Sequence, residues 1–268
     1  MAHLATFRRM AGIAGALALG LCAPPGAHAD LNEGLIAFWN FDEGGGWVVH
    51  DVSGNGNDGL NDGGTWVPGV SGTGMEILGT AIVQNIPETF DDGVTDALSL
   101  SVWVCWHGPG TASSYIFDGR AAGAGLSRYG ILLGITRETQ QVRLQLLCPP
   151  DDSQYTTLTS EGVVPVGVWT HIAGVFDLGA GALTVYLNGV PDASVPAAHA
   201  YCGTFITAAI GNNRWAPGDL QWAPLNGRID EFRLYDRPLT PEEIEELAAG
   251  GGTPAPETTW GALKRLFR

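Results

Sequence analysis

The chain has 268 residues, 45% of them hydrophobic, with 28 acidic against 13 basic side chains and a formal net charge of −15. That balance argues against nucleic acid, whose phosphates need a basic surface; it suits an exported, soluble protein and is compatible with divalent cations. The 39 glycines and 9 tryptophans point to many tight turns and aromatic-rich strands rather than to helices.

Residues 1–29 read as a secretory leader. Arg8 and Arg9 form a basic start, 10–21 is an apolar run too short to span a bilayer, and Ala27-His28-Ala29 supplies a small-residue cleavage site. Cys22 follows a bulky Leu21, which disfavours a lipoprotein cleavage. Removing the leader takes away two arginines and no acid, so the mature chain is still more acidic. No later stretch is long and apolar enough to cross a membrane.

Residues 30–249 read as one all-β domain. Strands are expected at 35–41, 75–77, 81–84, 100–106, 115–118, 130–135, 141–147, 155–159, 169–177, 182–187, 205–211 and 228–235, separated by Gly, Pro and Asp clusters. After the first strand comes WVVHDVSGNGNDG, 47–59, a turn-dense loop with Asp51, Ser53, Asn55, Asn57 and Asp58 set among glycines. Glycine permits positive φ, and Asx side chains add oxygen to such a loop. Trp47 and Trp66 flank it and are expected to pack around it, while Trp103, Trp106 and Trp169 sit on strands and read as core. Asn188-Gly189 after LTVYL is a two-residue hairpin signal.

Three cysteines follow the leader: Cys105, Cys148 and Cys202. Cys105 ends a buried-looking strand, whereas Cys148 and Cys202 stand where strand meets loop. An exported compartment permits disulfides, so Cys148–Cys202 is the expected pair. No CxxC is present.

In GRIDEFRLYD, 227–236, strict alternation would put Asp230 with Phe232 and Leu234 on the apolar face. A carboxylate there requires a partner, because an unpaired buried charge is very unfavourable. Either backbone N–H groups of the Gly/Asn loop or a hard cation shared with that loop would serve. A helix is expected at 241–248, with Thr240 as cap, Pro241 in the first turn and Glu243 closing a capping box. Beyond it, 250–259 is a Gly/Pro linker. Residues 260–268 form a short basic amphipathic tail, with Trp260, Leu263 and Phe267 on one face; it reads as a sorting tag, a membrane-surface anchor or a frayed end.

A dozen short strands at roughly even spacing with one terminal helix are the mark of a β-sandwich or jelly roll. LIAFWNFDEGGG, DVSGNGNDG, LSLSVWV, GVWTHIAGVFD, LTVYLNG and GRIDEFRLYDRPLTPEEIEEL occur in this order. In this the chain resembles bacterial laminin G-like jelly-roll domains of the concanavalin A-like lectin/glucanase superfamily, from about 31 to 247. The resemblance implies a two-sheet antiparallel β-sandwich with jelly-roll topology, its first and last strands neighbours, which would place Asp51 and Asn55 near Asp230. It also implies a structural calcium ion there, ligands of carbohydrate or protein type, and no catalysis.

Calcium takes six to eight oxygens, and Asp51, Asn55, Asp230 and loop carbonyls would supply them, with Glu43 a further candidate. For sugar recognition the expected surface is NNRWAPGDLQW, where Trp215 and Trp222 would stack on a ring and Asn213 and Arg214 would meet hydroxyls. Arg120, Arg128 and Tyr129 border a weaker candidate loop. Retaining glycosidases need two carboxylates about 5–5.5 Å apart. Asp230 and Glu231, adjacent on a strand, point to opposite faces instead, and no nucleophile elbow or HExxH is present. The expectation is a bacterial, secreted or cell-surface, non-catalytic module binding a glycan or cell-surface protein. A glycoside hydrolase or lyase on the same scaffold is the alternative, and a structural envelope or adhesion protein a third.

Overall fold

In ALSLSVWVCW every second residue from Leu98 to Trp106 is apolar, and that period of two decides which side chains fill the centre of the sandwich. A computed structural model of the chain describes residues 30–79, 82–86, 94–122, 128–148, 154–197, 201–202, 208–212 and 222–250. The expected leader, most of the Gly/Pro linker and the basic tail lie outside the described residues.

The strands are β1 (Leu35–Trp39), β2 (Val48–Val49), β3 (Gly59–Asp62), β4 (Thr65–Pro68), β5 (Thr73–Ile77), β6 (Ile82–Ile86), β7 (Val94–Thr95), β8 (Ala97–Trp106), β9 (Ser113–Ala122) and β10 (Arg128–Ile135). They continue with β11 (Gln141–Cys148), β12 (Gln154–Val163), β13 (Trp169–Asp177), β14 (Ala182–Leu187), β15 (Val190–Pro196), β16 (Tyr201–Cys202), β17 (Ala208–Ile210), β18 (Trp222–Ala223) and β19 (Gly227–Tyr235), followed by helix α1 (Pro241–Gly250). One sheet runs β15-β14-β13-β8-β19-β5-β4, with β1 also paired to β19; the other runs β12-β11-β10-β9-β17-β6-β3-β2, with β18 on β9; β16 and β7 form a small pair. The fold is the antiparallel β-sandwich jelly roll that the strand spacing and the family resemblance together implied. The first and last strands are neighbours, Trp39 standing opposite Phe232.

Leu98, Leu100, Val102, Val104 and Trp106 of β8 enter the core between the sheets, with Ile131, Leu133, Leu144 and Leu146 among those contributed by the second sheet. Trp39, Phe232 and Phe117 stack in series there, at 5.5 and 5.1 Å between ring centroids; such pairs stabilise by roughly 0.5–1.5 kcal/mol beyond their area burial. The expected hairpin is present. Asn188 and Gly189 both take positive φ, 51° and 83°, between paired Leu187 and Val190.

The outer face of the first sheet is covered near α1, where Ile244 and Leu247 meet Ala173, Val175, Tyr186 and Tyr235. Two reciprocal bonds close the capping box: the Thr240 N–H donates to Glu243 Oε2 at 2.8 Å, and the Glu243 N–H donates to Thr240 Oγ1 at 3.2 Å. Glu243 is buried, and Arg237 grips both its oxygens at 2.8 and 2.6 Å, holding its carboxyl below the usual range.

Strand β19 departs from simple alternation. Its register against β8 shifts between Asp230 and Arg233, and Glu231 takes φ 53°. This bulge sends Ile229, Phe232 and Leu234 into the core. Asp230, opposite Trp103, and Arg233, opposite Ser101, go to the outer face. The apolar-face position expected for Asp230 is thereby corrected: an extra residue in the strand reverses its side.

Candidate functional site

Strand β1 carries a polar loop on one edge and β19 on the other. Trp39 bridges to Asp51 on the first side and faces Phe232 on the second. Asp51 is 8% exposed. Its Oδ1 accepts the N–H groups of Phe38 and Ser53, and its Oδ2 that of Asn57, all at 2.9 Å. Asn55 Nδ2 donates to the carbonyls of Leu35 at 2.8 Å and Ile36 at 3.0 Å, and Asn57 Nδ2 also donates to Ile36. The loop is stitched to the edge of β1 by its own Asx groups.

Asp230 is fully buried, at the point where β19 changes partner from β5 to β1. Its Oδ2 accepts the N–H groups of Val70 at 2.9 Å and Ser71 at 3.0 Å, and its Oδ1 that of Glu231 at 2.8 Å. A side chain at Gly69 would collide with Oδ2, so only glycine allows this approach. Burial pushes the Asp230 carboxyl up to about 8, against the three amides, which pull the other way. The partner of Asp230 is thus the 69–72 turn and not the 47–59 loop.

Asp51, Asn55 and Asp230 do not form one ligand set for calcium. Asp51 and Asp230 lie on opposite sides of β1, each with its oxygens turned to three N–H donors, and Asn55 presents its NH₂ to carbonyls. Donors at that spacing neutralise a carboxylate as a cation would, and compete with it. Among the described residues no three His, Cys, Asp or Glu side chains gather as a metal would need. Glu43 Oε1 accepts the His50 N–H at 2.7 Å, while its Oε2 is buried without a partner.

The surface feature at this end is Trp47, 77% exposed instead of packed around the loop as expected. The backbone beneath it is pinned: the Asn61 N–H donates to the Trp47 carbonyl at 2.9 Å, and Trp66 Nε1 and Asn61 Nδ2 converge on the Gly46 carbonyl at 3.3 and 3.5 Å. A Cβ at Gly45 or Gly46 would meet nothing within 4 Å.

Asn213, Arg214 and Trp215 lie outside the described residues. Trp222 lies in β18, parallel to β9 and opposite Ser113, with its side chain outside them. Arg120, Arg128 and Tyr129 fall on strands β9 and β10, their side chains also outside. Cys148 closes β11 and Cys202 lies in β16, a strand that runs near β11; the sulfur atoms are outside the described residues. Cys105 is a free, buried thiol. Trp106 lies in the core as its strand position implied, Trp103 is buried but on the outer face of the sheet, and Trp169, at the start of β13, is only half-buried and outside the core.

The second buried ionisable centre is His171, fully enclosed on the outer face of β13. Its Nε2 lies 2.8 Å from Ser101 Oγ and its Nδ1 has no partner. Burial chiefly, and Arg233 second, lower it to about 3. It is a neutral packing residue against Trp103, ring centroids 5.4 Å apart. Glu231, beside Asp230, is held by Arg233 at 2.7 Å.

A model of the concanavalin A-like lectin/glucanases superfamily, Laminin_G_3, matches residues 79–245. The chain belongs to this family. The laminin G-like domain is similar in fold to domain 4 of AbnA, a GH43 extracellular arabinanase from Geobacillus stearothermophilus solved with arabinotriose, at 23% identity and TM-score 0.59, covering 80% of this chain and 98% of that one. It is also similar to a botulinum neurotoxin type C structure whose cell entry depends on two ganglioside molecules, at 14% identity and TM-score 0.64, covering 84% and 53%. The binding domain of Paraclostridial Mosquitocidal Protein 1 follows at 14% and 0.61, covering 82% and 52%. The chain thus spans about half of each toxin chain. No curated protein matches.

Proposed function

We propose that the laminin G-like domain is a secreted or cell-surface, non-catalytic binding module for a glycan. The observation that carries the reading is Trp47, a fully presented indole on a backbone held by three hydrogen bonds. A rigid aromatic plane stacks on the apolar face of a sugar ring at little entropic penalty. Similar folds bind arabinotriose in one case and depend on gangliosides in another, which supports ligand binding as the use of the scaffold. Secretion rests on the leader at 1–29. The non-catalytic part is supported by the acids themselves: Asp230 and Asp51 face amides, Glu231 and Glu243 are bound by arginines.

The test is a glycan array probed with the full mature chain, with and without chelator, beside a polysaccharide turnover assay. Retention of glycan with no released product is the expected outcome. Release of oligosaccharides would make the chain a hydrolase or lyase, and no retention on any glycan would leave a structural envelope or adhesion role. Calcium enters only through the chelator arm: loss of retention with chelator, restored by calcium, would assign the ion to ligands other than the Asp51, Asn55 and Asp230 trio.

A further inference from the structure

The ligand chemistry of the Trp47 platform is legible from the charges around it. Between residues 10 and 119 the sequence contains no lysine or arginine, whereas residues 30–119 carry acids throughout, Asp42, Glu43 and Asp51 closest to Trp47 in sequence. Strands β2 and β3 of one sheet, and β4 of the other, are all drawn from this cation-free half of the chain. Arg228, on the strand two places in from β4, is already paired with Glu76 at 3.2 Å. The nearest histidine in sequence, His50, is turned to Asp58 at 3.2 Å.

We infer that the Trp47 edge takes a neutral polysaccharide and rejects anionic ones, whether sialylated, sulfated or uronic. This rests on the glycan-binding reading above and deepens it. An anionic sugar stacked on Trp47 would bring like charges together with no free cation from the surrounding strands to offset them, and such juxtaposition is a strong source of discrimination. A neutral ring loses nothing by it. Its flat apolar face covers the indole, and its hydroxyls meet the backbone at Gly45, where the bare glycine leaves open space. One exposed ring gives a weak single contact, so the affinity is modest.

The experiment is affinity electrophoresis of the full mature chain through gels containing neutral arabinan, neutral xylan, polygalacturonate or chitosan. Ganglioside-bearing vesicles are tested by flotation, and everything is repeated at 20 and 300 mM NaCl. Retardation by a neutral polysaccharide, equal at both salts, is expected. Trp47→Ala should weaken it about tenfold or more, Trp47→Phe less, with Tm unchanged because the side chain is exposed. Gly45→Gln, whose side chain enters open space at a permitted φ, should weaken it as well without altering the fold. Retention on polygalacturonate or ganglioside vesicles alone overturns the charge assignment. Binding to chitosan that vanishes at 300 mM NaCl shows mere charge attraction and overturns it too. Neutral-glycan binding untouched by Trp47→Ala and Gly45→Gln overturns the location while sparing the function. Absence of binding to every probe removes the functional reading itself.

Discussion

Asp51 and Asp230 solve the same problem at two places a strand apart. Each is a buried carboxylate facing three backbone N–H groups. The cage around Asp51 is assembled from residues 2 to 13 positions away. Two of the three donors to Asp230 come from 159 and 160 residues away. The first is therefore a property of one loop and its flanking strand, the second a clasp between distant parts of the chain. The local cage can form early and cheaply in loop entropy; the long-range one exists only once β19 has docked between β5, β1 and β8. The difference teaches that Asp230 reports on the whole sandwich, whereas Asp51 reports on its edge.

That comparison can be broken by substitution. Asp230→Ala strands three buried amides at the centre of a strand exchange and should destabilise by about 3–4 kcal/mol, read by chemical denaturation. Asp51→Ala should follow at about 2–3 kcal/mol, since water reaches the loop edge more readily. If the order reverses, the long-range clasp is not the stronger one.

A pH series sharpens it further. The Asp230 carboxyl is raised from 3.8 to about 8, so its neutral form is favoured by folding. Its contribution is full below the unfolded value and is lost as pH rises through the folded one. His171, lowered from 6.5 to about 3, works oppositely: its contribution is full above 6.5 and fades as pH falls toward 3. Between pH 6.5 and 8 Asp230 acts alone of the two, and stability there should fall with rising pH. Asp230→Asn should flatten that limb, as followed by Tm; a slope that survives the substitution refutes the assignment.

Smaller effects come last. Asn55→Ala removes donors to two carbonyls at an exposed edge and should lower stability by roughly 0.5–1 kcal/mol in denaturant titration. Chelator followed by excess calcium should leave Tm unchanged, because amides already occupy both carboxylates. A fall in Tm on chelation that calcium reverses would show that a bound ion, held by other ligands, stabilises the sandwich as well.

Much of the molecule was legible from its residues. The period of two in LSLSVWV and WTHIAGVFD, the Asn188-Gly189 turn and the Thr240–Glu243 capping box all depend on neighbours a few positions away, and they folded as read. Short edge strands such as β2, β4 and β18 carry too few residues to show a period. The buried state of Asp230 was legible too, but its face was not. The bulge at Glu231 inserts one residue, and with a repeat of two, one residue reverses every side chain beyond it.

The sequence by itself determined the class of fold, the helix cap and the acidic, cation-poor half that shapes the proposed ligand preference, and the family resemblance implied the meeting of first and last strands. Tertiary structure alone decided which turn receives Asp230, how far Asp51 and Asn55 stand from it across β1, and that Trp47 faces solvent. Periodicity and capping are set by covalent neighbours within a turn or two, whereas burial and hydrogen-bond partners depend on which distant segment arrives, and a sequence names the groups seeking partners without naming the partners.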